Sequence, residues 1–337
     1  MIRKFCWFMV FILAVALLVG CQAAKDDAET FAANQRLGRG VNFGNALDGP
    51  REGAWGLYLK EEYFVAVAEA GFETIRLPIR WAKYADVYEP YEISETILDR
   101  VEWAIDQALA NDLNIIINIH HFEAIVQMPE IQIDRLVAIW KQIGERYQDY
   151  PDNVYFEILN EPHENLTNDL WNPMIPEVLA VIRASNPDRY VIVGGGDWNN
   201  ISGLETLEIP ADDRRIIGTF HYYSPHDFTH QGAAWSSAND RSAVDWGSEA
   251  DLQELQAAFD IALAWSEKEN RPLFMGEFGT YSAAPMDARI TWTSAVRAEA
   301  EKRGFSWTYW DFGTDFAVYN LGTKEWREPI LKALIPE

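Results

Sequence analysis

Two carboxylates stand where acid and nucleophile chemistry needs them. Glu161 lies in Leu159-Asn160-Glu161-Pro162, directly after the apolar run 154–158, and Glu277 lies in Met275-Gly276-Glu277-Phe278-Gly279, between glycines that suit a tight turn. One glutamate at a strand end is an ordinary solvated loop residue. Two that face each other supply a general acid and a nucleophile. At a separation of about 5–5.5 Å, one attacks an anomeric carbon while the other protonates the leaving oxygen, which is glycoside hydrolysis with retention. The six histidines also gather after strand-like runs: His120 and His121, His163, His221, then His226 and His230. His226 and His230 have the i, i+4 spacing of a metal pair, but Pro225 and Asp227 predict a loop there. His120 and His121 are neighbours on a predicted strand and are expected on opposite faces, so no metal site is expected.

The elements that must position these groups follow from hydrophobic periodicity. Apolar, β-rich runs at 41–43, 74–77, 115–119, 154–159, 190–193, 216–220, 273–275 and 305–309 predict eight strands. Between them lie amphipathic helical patterns, such as Ile97, Val101, Ile105, Ala108 with Leu109, then Leu136, Ile139, Trp140, Ile143 and Tyr147. Leu252, Leu255, Phe259 and Leu263 give another, and 61–70, 287–302 and 326–334 complete the set less sharply. Apolar strands alternating with helices predict a parallel sheet, and eight repeats predict a single (β/α)8 TIM barrel. A doubly wound sheet is the rival; Gly38-Arg39-Gly40 precedes the first strand, where a phosphate fingerprint would follow it. In a barrel, chemistry sits at the C-terminal strand ends, and strands 4 and 7 lie on opposite sides of the opening.

At this point the residues resemble glycoside hydrolase family 5, the retaining endoglucanases and mannanases. The resemblance rests on Arg76 in Thr74-Ile75-Arg76-Leu77-Pro78, His120 in Asn118-Ile119-His120-His121, Asn160-Glu161, His221 and Tyr223, Glu277, and Trp310 in Tyr309-Trp310, all in order. Asn42 to Asp48, Gly53-Ala54-Trp55-Gly56 and Phe228 to Trp235 are similar to the bacterial endoglucanase branch, some members of which cleave mannans. The resemblance implies Glu161 as acid/base, Glu277 as nucleophile and no cofactor. Arg76 beside Glu277 would hold it ionised, a structural salt bridge being the other reading; Tyr223 would donate to it, and His221 would tune the proton on Glu161. Asn160 can bond the sugar 2-hydroxyl, and Trp310 would floor the sugar being cleaved. Asn45, Asp48, Trp55 and His121 are expected on the non-reducing side, with Asp48 standing where relatives carry a longer Glu, and Trp235 at an outer subsite.

Composition bounds the partners. The chain has 337 residues, of which 48% are hydrophobic, and 28 basic against 52 acidic residues give a net charge of -24. Such a surface repels a phosphate backbone, so nucleic acid is excluded as a partner, while a neutral β-1,4-linked polysaccharide is compatible. Of 14 tryptophans, Trp103, Trp140, Trp265 and Trp292 fall within helix periods and read as packing. Trp55, Trp81, Trp171, Trp198, Trp235, Trp246 and Trp310 follow strands, where sugar faces stack; loop packing is the other reading for most of them.

Cys6 and Cys21 both precede the body of the chain. Arg3 and Lys4, the apolar run 5–19 and Gly20-Cys21 have the form of a secretory signal, shorter than the roughly 20 apolar residues of a membrane-spanning helix. Leu18-Val19-Gly20-Cys21 resembles a bacterial lipoprotein box. It implies a leader over 1–20, a lipid anchor on Cys21, and an extracytoplasmic protein held to a membrane. Gln22 in place of Asp favours the outer membrane where two exist. Loss of the leader removes Arg3 and Lys4 and leaves a net charge of -26. Residues 22–34 show no periodicity, so 21–35 is expected to be a tether and 36–337 the catalytic domain, a monomer. The family resemblance implies an endo-acting retaining β-1,4-glucanase; the rivals are a β-mannanase, glucomannanase or mixed-linkage glucanase on the same site, a non-catalytic glycan-binding barrel and a metal-dependent hydrolase.

Overall fold

The computed structural model describes residues 24–336; the expected leader over 1–20 and the expected lipid anchor at Cys21 lie outside the described residues. Helix α1 spans 24–37. The chain then alternates through β1 (Arg39–Asn42), α2 (Glu61–Glu69), β2 (Thr74–Ile79), α3 (Trp81–Tyr84), α4 (Glu95–Ala110), β3 (Asn114–Ile119), α5 (Glu123–Gln127) and α6 (Pro129–Arg146). Next come β4 (Val154–Glu157), α7 (Asn168–Ser185), β5 (Val191–Gly194), α8 (Ile201–Leu204), β6 (Ile216–Tyr222), α9 (His226–Thr229) and α10 (Glu249–Glu269). β7 (Leu273–Phe278), α11 (Met286–Lys302), β8 (Ser306–Tyr309), the short antiparallel pair β9 (Tyr319–Asn320) and β10 (Glu325–Trp326), and α12 (Glu328–Leu334) end the chain.

Strands β1 to β8 pair in chain order, all parallel, and β8 closes onto β1. This is the expected (β/α)8 barrel. The strands are buried on both faces, as β-branched runs such as Asn-Ile-Ile-Ile-Asn-Ile in β3 require. The helices bury one stripe each: Ile97, Leu98, Val101, Ala104, Ile105 and Ala108 on α4, and Leu136, Ile139, Trp140 and Ile143 on α6.

Buried tryptophans brace the upper rim. The Trp81 indole donates to Asn118 O, Trp140 to Ile158 O, Trp171 to Gly194 O and Trp292 to Ser224 O, at 2.8–3.0 Å. Each carbonyl lies at the C-terminal end of a strand, where the ladder leaves acceptors open. Trp81 and Trp171 therefore serve packing, as does the buried Trp246, and stack on no sugar.

The tether reading of 22–34 is corrected over the described residues. Helix α1 runs across the N-terminal end of the barrel and plugs it: Ala33 and Leu37 are buried, and Asn34 bonds Leu273 O at 3.0 Å and Ser306 Oγ at 2.7 Å. Thr30 donates to Arg214 O and the Tyr155 hydroxyl to Ala33 O, while Glu29 pairs with Arg215. The helix is short and its buried face is mostly small or polar, so a hydrophobic count finds no period in it. Among the described residues no helix is long and apolar enough to cross a membrane.

Candidate active site

Strands aim the site. Arg76 on β2 is fully buried and all five of its N–H donors are used. It donates twice to Glu157 at 2.6 Å, to Asn160 Oδ1 at 2.7 Å, and to Asn42 Oδ1 and Glu277 Oε1 at 2.8 Å. Both sequence readings of Arg76 thus hold: it is a structural ion pair with Glu157 and a direct partner of Glu277. Asn160, anchored through its oxygen, keeps its Nδ2 donor for a substrate hydroxyl.

Glu277 sits on an irregularity of β7, where the pairing shifts both against β6 and between Met275 and Phe278 against β8. Gly276 makes the irregularity possible, because a Cβ there would lie 2.9 Å from His221 Nε2. Asn42 Nδ2 and Thr308 Oγ1 both donate to Gly276 O, at 3.0 and 2.6 Å, and fix the bend. The Tyr223 hydroxyl donates to Glu277 Oε2 at 2.9 Å. Burial holds that phenol well above its usual range, so it keeps its proton.

Glu161 has a different setting. Its Oε1 lies 2.7 Å from His221 Nδ1, and a carboxylate oxygen of Glu161, one of Glu277 and a ring nitrogen of His221 lie within 4.8 Å of one another. Burial pushes the Glu161 carboxyl up to about 7 and pulls His221 down to about 4, so His221 is neutral at neutral pH. Burial also raises Glu277, against the pull of His221 and Arg76. Two carboxyls this close hold one proton between them, and hydrogen bonding decides its place. Glu277 receives a guanidinium and a phenol, both of which favour its charged form; Glu161 faces only a neutral imidazole. The proton belongs on Glu161.

His120 stacks flat on Trp310, with ring centroids 5.5 Å apart and planes 6° apart. Asn118 Nδ2 lies 3.3 Å from His120 Nδ1, which places the ring proton on Nε2. His120 and His121 follow β3 and are not part of it. Their rings stand 4.6 Å apart, so the expected opposite-face arrangement is corrected. His226 and His230 bracket a single helical turn, α9, where a loop was expected, and their rings stack at 4.3 Å.

The remaining substrate candidates divide. Trp55, 41% exposed, packs its edge on His121, and Trp235, 63% exposed, stands on His230 and Phe316; both keep a face to solvent. Asn45 is committed to Thr314 Oγ1 at 2.6 Å. Asp48 is fully buried: Oδ2 accepts from Asn45 N at 3.1 Å, Oδ1 has no partner, and burial pushes the carboxyl up to about 7. A carboxylate oxygen of Asp48 lies within 4.8 Å of a ring nitrogen of His120 and of one of His121, and the residue has no exposed surface to offer a sugar. Three residues given no role in the sequence reading belong here: Glu157, Asn42, and Asp311, whose carboxylate accepts from Asn45 Nδ2 at 3.4 Å and from Thr314. Glu157 and Asn42 are polar residues inside core strands, a signal that was available.

A closed barrel with two carboxyls of opposed environment at its mouth, one beside a guanidinium and a phenol and one beside an imidazole, is an arrangement that suits glycoside hydrolysis. The chain belongs to glycosyl hydrolase family 5, since its residues 37–315 match the family described as Cellulase (glycosyl hydrolase family 5). Endoglucanase H of Acetivibrio thermocellus is 37% identical over 312 residues, covering 91% of this chain and 33% of that protein. The chain therefore spans about a third of that relative's length. Among solved structures, Thermotoga maritima Cel5A in complex with mannotriose is 44% identical with a TM-score of 0.89, covering 90% of this chain and 99% of that one. The same enzyme in complex with cellobiose gives the same values.

Proposed function

We propose that the protein is an endo-acting, retaining β-1,4-glucanase that also accepts β-1,4-mannan. The reading is carried by one carboxylate oxygen of Glu161 and one of Glu277 within 4.8 Å of each other, with Arg76 and Tyr223 on Glu277 and His221 on Glu161. Glu277 attacks the anomeric carbon while Glu161 delivers its proton to the leaving oxygen. Glu161, now a carboxylate with its Oε1 2.7 Å from His221 Nδ1, then takes a proton from the water that frees the sugar. Asn160 Nδ2 bonds the 2-hydroxyl, the group whose orientation separates glucose from mannose. The exposed faces of Trp55 and Trp235 extend an open cleft suited to internal sites of a polymer.

Acceptance of mannan is supported by the relative solved with both cellobiose and mannotriose. Initial rates on cellohexaose, mannohexaose and glucomannan decide the preference. Glu161→Gln and Glu277→Ala should each lower turnover by at least about a thousandfold, and azide should restore the second alone by replacing the missing nucleophile. Full activity in either variant contradicts the assignment; glycan binding without any release of reducing ends points instead to a binding barrel. The cellular reading is a protein lipid-anchored through Cys21 outside the cytoplasm, at the outer membrane where one exists. Cys21→Ser should release it from the membrane fraction.

A further inference from the structure

Beyond the acid, on the side where the leaving sugar departs, the loops after β4 and β5 enclose a cavity of about 310 Å³. Its wall nearest the acid is a platform: Trp198, 47% exposed, stacks on His163 with centroids 5.0 Å apart, and His163 Nδ1 lies 2.5 Å from Glu161 O. Trp198 N donates to Pro162 O at 3.1 Å, which fixes the platform to the strand end that carries the acid. Glu164, Asp197, Ser202 and Thr206 supply polar groups around the rest, and no lysine or arginine among the described residues lines it. The far side is closed by Asn168, which bonds Gly203 O, Thr206 Oγ1 and Gly196 N at 2.6–2.8 Å.

The backbone is bent to build this cavity. Glu164, Asp197, Trp198 and Asn199 are non-glycine residues with φ of 51°, 57°, 53° and 56°, three of them consecutive. Side chains enter this region only when surrounding bonds enforce it, and such residues gather at ligand clamps.

We propose that the cavity is a subsite for a single neutral sugar branch on the residue in the first leaving-group position. The inference rests on the glucanase reading. A pocket closed at one end takes a side group and stops a through-going backbone. Carboxylates and hydroxyls without a lysine or arginine select a neutral polyol over a phosphate or uronate. An exposed indole offers the flat face on which a pyranose stacks.

The test compares the full chain on cellohexaose and on a β-1,4-glucan bearing single xylose branches. Ser202 is exposed on the rim, so Ser202→Trp fills the cavity and Ser202→Ala controls for loss of its bond to Asp197. The wild type should cleave the branched polymer. Ser202→Trp should lower kcat/KM on it about tenfold or more while leaving cellohexaose within about twofold, and Ser202→Ala, which keeps the space and loses one hydroxyl, should lower the branched polymer alone and by less than Ser202→Trp does. Equal loss on both substrates, or no loss on either, overturns the subsite. Cleavage of cellohexaose without cleavage of the branched polymer also overturns it and leaves the glucanase reading intact; cleavage of neither defeats both.

Discussion

Arg76 and Glu157 are joined by two hydrogen bonds of 2.6 Å at a point where neither side chain reaches solvent. That fork orients the guanidinium so that its remaining donors meet Asn160, Asn42 and Glu277. A lysine has no fork and cannot serve these acceptors together.

Glu157→Ala is therefore expected to leave two N–H donors of a buried guanidinium unsatisfied while Glu277 still pairs with it, with a loss of roughly 2–4 kcal/mol in stability. Urea unfolding measures the first effect. Turnover should fall at least tenfold in the fraction that stays folded, because Arg76 would turn toward Glu277 and release Asn160.

The pH profile follows from Glu161. The protonated form is the active one, so kcat/KM on a cello-oligosaccharide should fall as pH rises through about 7, with a rising limb at acid pH as Glu277 ionises. An aryl glycoside whose leaving group needs no proton should lose the alkaline limb, and Glu161→Gln should retain glycosylation on it. An alkaline limb above pH 9 would exclude Glu161 as the acid.

Asp48 sets a second pH dependence, on stability. Its carboxyl is raised to about 7 by burial, against an ordinary value of 3.8. The folded state binds more protons than the unfolded state between those values, so stability falls as pH rises from about 4 to 7. Asp48→Asn removes the charge and keeps an oxygen for Asn45 N–H. It should gain on the order of 2–4 kcal/mol over the wild type at pH 8, and little at pH 4, by denaturant titration at the two pH values.

Helix α1 is expected to be part of the fold. Asn34→Ala deletes bonds to Leu273 and Ser306 in a buried site and should cost about 1–3 kcal/mol. A variant as stable as the wild type in urea would return α1 to the role of a tether.

The barrel, its strand order and the two glutamates were legible because apolar strands, strand-end carboxylates and family motifs are local signals. What escaped was set by three-dimensional neighbours. Glu157 reads as one charge in an apolar strand until Arg76 is placed beside it. Asp48 has the spacing of a cleft residue, yet it is fully buried beside His120 and His121. Helix α1 packs Ala33 and Leu37 against Ile116, Ile192, Ile217 and Phe274, but its interior face alternates these with Thr30 and Asn34, so hydrophobic periodicity cannot find it. Trp81 and Trp171 follow strands in sequence but turn inward to bond strand-end carbonyls.

The central claim is double displacement by Glu277 and Glu161. Proton NMR of cellopentaose during the first minutes of hydrolysis, before mutarotation, reads it directly. With one oxygen of Glu161 and one of Glu277 within 4.8 Å, the pair has the close spacing of a nucleophile and an acid, so the new reducing ends should appear as the β-anomer. Appearance of the α-anomer first would contradict the account.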